Sequence, residues 1–161
     1  MSKSGNLRKG DEEMHTFKNV VGVKGDCLNP ETYPEELKDC QSMVHWVGAL
    51  IPGRNYETSY EGLNRDSCIK IAEKFNEYAK EQETQKNFVM ISAEKSPPFL
   101  ADYGTTKREA EDYLLNKCEN LRVHIIRPGF IVESKHRSWS PIVGCIVNAG
   151  HNINQGIVQK T

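Results

Sequence analysis

No C-x-x-C pair occurs anywhere in this chain of 161 residues. Its five cysteines, at 27, 40, 68, 118 and 145, are widely spaced and odd in number, which argues against structural zinc and against a disulfide framework. They read as packed or part-packed thiols of a reducing compartment. The five histidines show no H-E-x-x-H or other ligand spacing, so no metal centre is expected. Charge of one sign is also lacking. Lys and Arg number 21 against 22 Asp and Glu, a formal net charge of -1, and no basic footprint for nucleic acid results. No apolar run approaches the roughly 20 residues that cross a bilayer. The polar stretch from Met1 to Gly10, followed at once by Asp11, Glu12 and Glu13, has no signal-peptide core. The glycines are scattered, and none fall into G-x-G-x-x-G, the turn that seats a pyrophosphate on a helix N-terminus.

What is present alternates. Short apolar runs at Asn19–Val23, Met43–Val47, Phe88–Ile91 and Val123–Ile126 read as strands. Between them lie helical patterns. Glu31–Lys38 follows Asn29-Pro30, an N-terminal signal. Ser59–Glu81 carries Leu63, Cys68, Ile71, Ala72, Phe75, Tyr78 and Ala79 as one stripe. Ala101–Lys117 turns Ala110, Tyr113 and Leu114 inward, and Ile142–Asn148 is a further helix. Continuous apolar strands separated by amphipathic helices imply an α/β domain, a doubly wound parallel sheet covered on both faces. We place that domain at residues 1–149 and a polar tail at 150–161. Ligands of such sheets bind beyond the carboxyl ends of the strands, and Asp26, Gly48, Ser92 and Arg127-Pro128-Gly129 all stand at or just after strand ends.

Tyr103-Gly-Thr-Thr-Lys107 is the most informative segment. Four residues apart, the phenol and the ammonium share one helix face. An ammonium beside a phenol favours the phenolate and lowers its pKa, which would make a proton donor or acceptor usable near neutrality. Each residue here also has a plainer use. Tyr103 and Lys107 could be a surface pair, Ser92 a strand-end cap, Asn64 a helix-face hydrogen-bonder and Asp26 a turn residue.

Together these segments resemble an atypical or extended short-chain dehydrogenase/reductase. The likeness runs from about residue 19 to 145. It rests on Gly25-Asp26 after a strand, His45-Trp-Val-Gly48, Tyr60-Glu-Gly-Leu-Asn64, Ile91-Ser92-Ala93, Tyr103-x-x-x-Lys107-Arg-Glu-Ala-Glu111 and Ile126-Arg-Pro-Gly-Phe130. Within the family it is most similar to a mitochondrial branch tied to respiratory complex I and ubiquinone biosynthesis. The resemblance implies a Rossmann-like fold binding NAD or NADP, with Lys3 leaning toward NADP. It implies Tyr103 as acid/base, Lys107 on the nicotinamide ribose, Ser92 on a substrate carbonyl and Asn64 supporting a proton relay. Asp26 would face the adenine, Gly48 would admit the cofactor, and Pro128 and Gly129 would border the nicotinamide. It further implies a mitochondrial location and a protein complex at the inner membrane, reached without a transmembrane segment.

The departure from the family is the absent phosphate turn. The chain reads as starting at the close of the family's second strand, as a truncated form of a longer protein would. The expectation is then a sheet without its first strand. The strand at Met43–Val47 becomes an open apolar edge, NAD(P) binding by the isolated chain is weak or absent, and the isolated chain is inactive.

Overall fold

The computed structural model describes Met1, residues 20–94, Ser96 and residues 100–129. Its sheet has three parallel strands in the order β1 (Ser42–His45), β2 (Lys86–Ile91), β3 (Leu121–Ile126). Ser42 pairs with Asn87 and His45 with Met90, while Lys86 pairs with Leu121 and Ile91 with Ile126. The crossover helices are α1 (Ser67–Glu81) and α2 (Ala101–Lys117). The expected α/β class and parallel sheet are therefore present, and three of the four expected strands form with boundaries shifted by one to two residues.

Period-two burial shows where the core lies. In β2, Lys86, Phe88 and Met90 are buried, while Asn87, Val89 and Ile91 are only half-buried. The buried face packs on Cys68, Ile71, Ala72, Phe75 and Ala79 of α1 and on Ala110 and Leu114 of α2, so the stripe expected on α1 is largely the one used. Full burial of Phe75, Phe88 or Leu114 contributes about 1.5–3 kcal/mol each. The opposite face is not covered by the described residues: Val44, Trp46 and Ile126 remain exposed on it. The expected doubly wound class, incomplete, is met by this parallel sheet, of which the described crossover helices cover one face. The strands follow one another in a single direction across the sheet, so both crossover helices fall on the same side.

Three local readings also change. Residues 20–23 form no strand, because a strand exists through its pairing and no described strand lies beyond β1. The helix expected at Glu31–Lys38 is two short 3-10 turns, Pro30–Thr32 and Glu35–Asp39. Pro34 stands between them, and a proline disfavours helical backbone in the residue before it. The long helix begins as a π-helix, Glu61–Asp66, before α1 proper. α1 closes on Glu83 at φ 51. Thr84 N–H donates to Ala79 O and Glu83 N–H to Lys80 O, a Schellman ending made without the usual glycine.

Lys86 is wholly buried. Its ammonium donates to Lys38 O at 2.7 Å and Cys40 O at 2.8 Å, pinning the Glu35–Asp39 turn to the sheet. Cys68 and Cys118 are buried, as expected of packed thiols, whereas Cys40 is exposed. Lys3, Cys145, the helix at 142–148 and the tail at 150–161 lie outside the described residues.

Candidate functional site

Two clusters stand at the carboxyl rim of the sheet. The first joins the ends of β1 and β2. Lys107, buried on α2, donates from Nζ to Ile91 O at 3.2 Å and to Val47 O at 3.4 Å. Asn64, delivered by the π-helix and wholly buried, clasps Ala49 from both sides. Its Oδ1 accepts from Ala49 N at 2.8 Å and its Nδ2 donates to Ala49 O at 3.1 Å. Gly48 sits between them. A Cβ there would come within 2.8 Å of Asn64 Oδ1 and 3.1 Å of Lys107 Nζ, so close approach requires glycine. Burial pulls the Lys107 ammonium below its usual pKa, against the opposing pull of Cys68 and Glu111.

His45 lies beneath this cluster. The single hydroxyl proton of Ser67 goes to Leu63 O at 2.6 Å, so His45 Nε2 donates to Ser67 Oγ at 3.2 Å. Nδ1 is then a buried lone pair without a partner. Burial, and secondarily Lys107, hold this imidazole neutral down to about pH 3.

The second cluster is ionic and joins β2 to β3. Glu111, one turn beyond Lys107 on α2, is buried. It accepts from Ser92 Oγ, from Arg108 Nη1 and from Arg127, whose Nη2 lies 2.5 Å from Oε2. Arg108 Nη2 also donates to Ala93 O at 2.6 Å and Glu94 O at 2.8 Å. Burial pushes the Glu111 carboxyl up, but hydrogen bonds from Arg127 and Ser92 and the charge of Arg108 outweigh it, and its pKa falls below the usual range. Pro128 O accepts from Glu94 N at 3.0 Å, and Gly129 passes close to the Glu94 carboxylate, so the Arg127-Pro128-Gly129 turn is tied to the same corner.

Tyr103 is half-buried, and its ring meets Tyr60 edge-on at 6.1 Å. No hydrogen bond links its phenol to Ser92 or Lys107. Burial and then Tyr60 raise its pKa, the opposite direction from the shift that a neighbouring ammonium would cause. Asp26 is occupied in its own turn: Oδ1 accepts from Leu28 N at 3.0 Å, and the backbone bridges to Asn29. The rim thus gathers Gly48, Asn64, Ser92, Lys107 and the Pro128-Gly129 turn.

The sequence reading missed Glu111, Arg108 and Arg127 as one unit and missed His45. The signal for Glu111 was present. Residues 103, 107 and 111 fall on one helical face, and an acid on an inward face demands a cation. Among the described residues no cluster of His, Cys, Asp or Glu is arranged to hold a metal ion, and no helix is long and apolar enough to cross a membrane.

Comparison with known proteins decides the family. A family model described as Male sterility protein, an NAD-binding family, matches residues 35–159. The chain belongs to this family. The domain is thus of the short-chain-dehydrogenase-like, NAD(P)-binding kind. The yeast Saccharomyces cerevisiae protein MIOREX complex component 2 is 26% identical over 88% of this chain and 66% of its own length. A solved structure of RMD from Pseudomonas aeruginosa complexed with NADPH superposes with a TM-score of 0.51 at 15% identity, over 85% of this chain and 55% of that one. This likeness speaks to the fold alone. The chain spans about two thirds of the yeast relative and just over half of the bacterial one.

Gly48, Lys107, Pro128 and Gly129 border the rim beyond β1–β3, where a parallel sheet takes its ligand. The pyrophosphate half has no matching turn in the sequence.

Proposed function

We propose that this chain is a nicotinamide-cofactor-type domain with a structural or assembly role in a mitochondrial protein complex, around respiratory complex I or ubiquinone synthesis. One observation carries the reading. The groups that would run proton transfer are committed elsewhere: the Ser92 hydroxyl donates to Glu111, and the Lys107 ammonium to the carbonyls of Val47 and Ile91. A serine whose proton is already given to a carboxylate has none left for a carbonyl oxygen. A phenol whose pKa is raised is a poor base near neutrality. The rim is built to be held rather than to turn over. Gly48, Lys107, Pro128 and Gly129 would contact NAD or NADP, which supplies hydride chemistry when bound; Asp26 is assigned to the adenine side only by family likeness. Membership of the yeast relative in a complex, by its name, supports the assembly role.

Native-gel fractionation of mitochondrial membranes tests this. The expected result is migration with a large assembly, unaffected by Tyr103→Phe. Recovery only as a free soluble species would overturn it. A second reading, an oxidoreductase with Tyr103 as proton donor and Lys107, Ser92 and Asn64 assisting, is favoured by the presence of all four residues on the rim-facing elements. It requires Tyr103→Phe to cut turnover by about 10²–10⁴-fold.

A further inference from the structure

Two polar groups on one face of α2 have bonding capacity left unused. Lys107 gives two of its three N–H donors to Val47 O and Ile91 O, and no other described residue takes the third. One turn earlier, the Tyr103 phenol has no hydrogen-bond partner among the described residues; only its main chain is engaged, the carbonyl accepting from Thr106 Oγ1 at 3.2 Å. Residues four apart on a helix lie within reach of each other, so the pair is placed to meet and does not.

A second ring packs against the phenol. Tyr60 meets Tyr103 at 6.1 Å between centroids and 69° between planes, an edge-to-face contact of the kind aromatic pairs prefer. The Tyr60 hydroxyl donates to Leu50 O at 2.8 Å. Leu50 follows Ala49, which Asn64 clasps. Tyr60 and Asn64, about one turn apart, thus grip neighbouring residues of the loop after β1. The α2 backbone is fixed as well. Thr106 Oγ1 shares its proton between Asp102 O at 2.8 Å and Tyr103 O at 3.2 Å, and a Cβ at Gly104 would collide with Ser96 Oγ. The direction of the phenol is therefore a side-chain matter, decided by rotation about χ1 and χ2 against the Tyr60 ring.

We propose that Tyr60 is the positioning residue for Tyr103: anchored on Leu50 O, its ring holds the phenol away from the free donor of Lys107, and withdrawing the ring lets the two meet. This inference rests on the reading of the rim as held rather than turning over, and it names the side chain that holds it. Of the titratable groups around the pair, Asp102 acts on Tyr60, and Cys68 and Glu111 act on Lys107. Among the described residues, Tyr60 is the one whose charge bears on Tyr103.

Ultraviolet difference titration tests the proposal, each chain being measured against its own Tyr103→Phe counterpart so that only residue 103 is read. In the unsubstituted chain the phenol should ionise above 10. Tyr60→Leu removes the ring, and the midpoint should fall by about one pH unit or more as the phenol meets an opposite charge. Adding Lys107→Met to Tyr60→Leu should restore it. Tyr60→Phe keeps the ring and loses only the bond to Leu50 O, so it should give a smaller fall; it carries the same test should Tyr60→Leu fail to reproduce the circular dichroism of the parent. No fall in either variant would overturn the proposal. A fall that persists with Lys107→Met would also overturn it, by showing that the phenol is released to water and not to the ammonium. A midpoint already near neutrality in the unsubstituted chain would strike instead at the reading of the rim itself, before any substitution at Tyr60.

Discussion

The two corners of the carboxyl rim hold buried charge by different means. At the Lys107 corner a single ammonium is held by main-chain carbonyls and a neutral amide stands beside it. At the Glu111 corner a buried carboxylate gathers two guanidinium groups and a hydroxyl. The first arrangement leaves the cation paying its desolvation with little return, which is why its pKa falls. The second lets opposite charges outweigh the same penalty. Polar side chains at a sheet rim are thus not evidence of catalysis by themselves: each corner also closes a β-α junction.

Acid should separate the corners most strongly. His45 belongs to the Lys107 corner, and its folded pKa, about 3, lies below the ordinary 6.5. Between these values the unfolded chain binds more protons, so stability falls as pH drops from 6.5 toward 3. By pH 4 the loss is on the order of 3 kcal/mol. Urea midpoints measured from pH 7 to 4 should show this slope, and His45→Gln should flatten it. Glu111 acts lower on the scale. Its depressed pKa contributes stability that is present above the ordinary carboxylate value and lost as pH falls through the folded one.

Next in size is Glu111→Ala, which strands two cations. Both Arg108 and Arg127 are part-exposed and can rehydrate, so the cost is about 1–3 kcal/mol rather than the full figure for a buried pair. Asn64→Ala removes both bonds to Ala49 and should cost roughly 2 kcal/mol. Lys107→Met should cost least, about 1 kcal/mol or less, because an apolar chain of similar length replaces a poorly compensated buried charge. It should also remove a rise in stability at alkaline pH, since a lysine with a lowered folded pKa penalises the fold until it deprotonates. Thermal unfolding of the three variants gives the order. A Lys107→Met loss exceeding that of Glu111→Ala would break the contrast between the corners.

Much of this fold was legible in the sequence. The runs around Val44, Phe88 and Val123 are short, apolar and flanked by turn residues, and all three are strands. The stripe from Cys68 to Ala79 repeats at helical spacing because one face of α1 meets the sheet. What the sequence hid was non-local. Residues 20–23 look like a strand, but pairing needs a neighbour that composition cannot supply. A π-helix repeats too briefly at Glu61–Asp66 for periodicity to expose it. Lys86 reads as a surface residue, yet the carbonyls of Lys38 and Cys40, at the end of the Glu35–Asp39 turn, draw it inside. For the site, spacing placed Tyr103 and Lys107 on a common helix, but not the direction of the phenol's pKa, which depends on burial and on Tyr60.

The acidity of Tyr103 is therefore the decisive quantity. An ultraviolet difference titration of the chain against Tyr103→Phe isolates that phenol. The account predicts ionisation above 10, the ordinary tyrosine value. A phenolate already formed near neutral pH would show that Lys107 does activate it, and would contradict the reading of this rim as a held, non-catalytic structure.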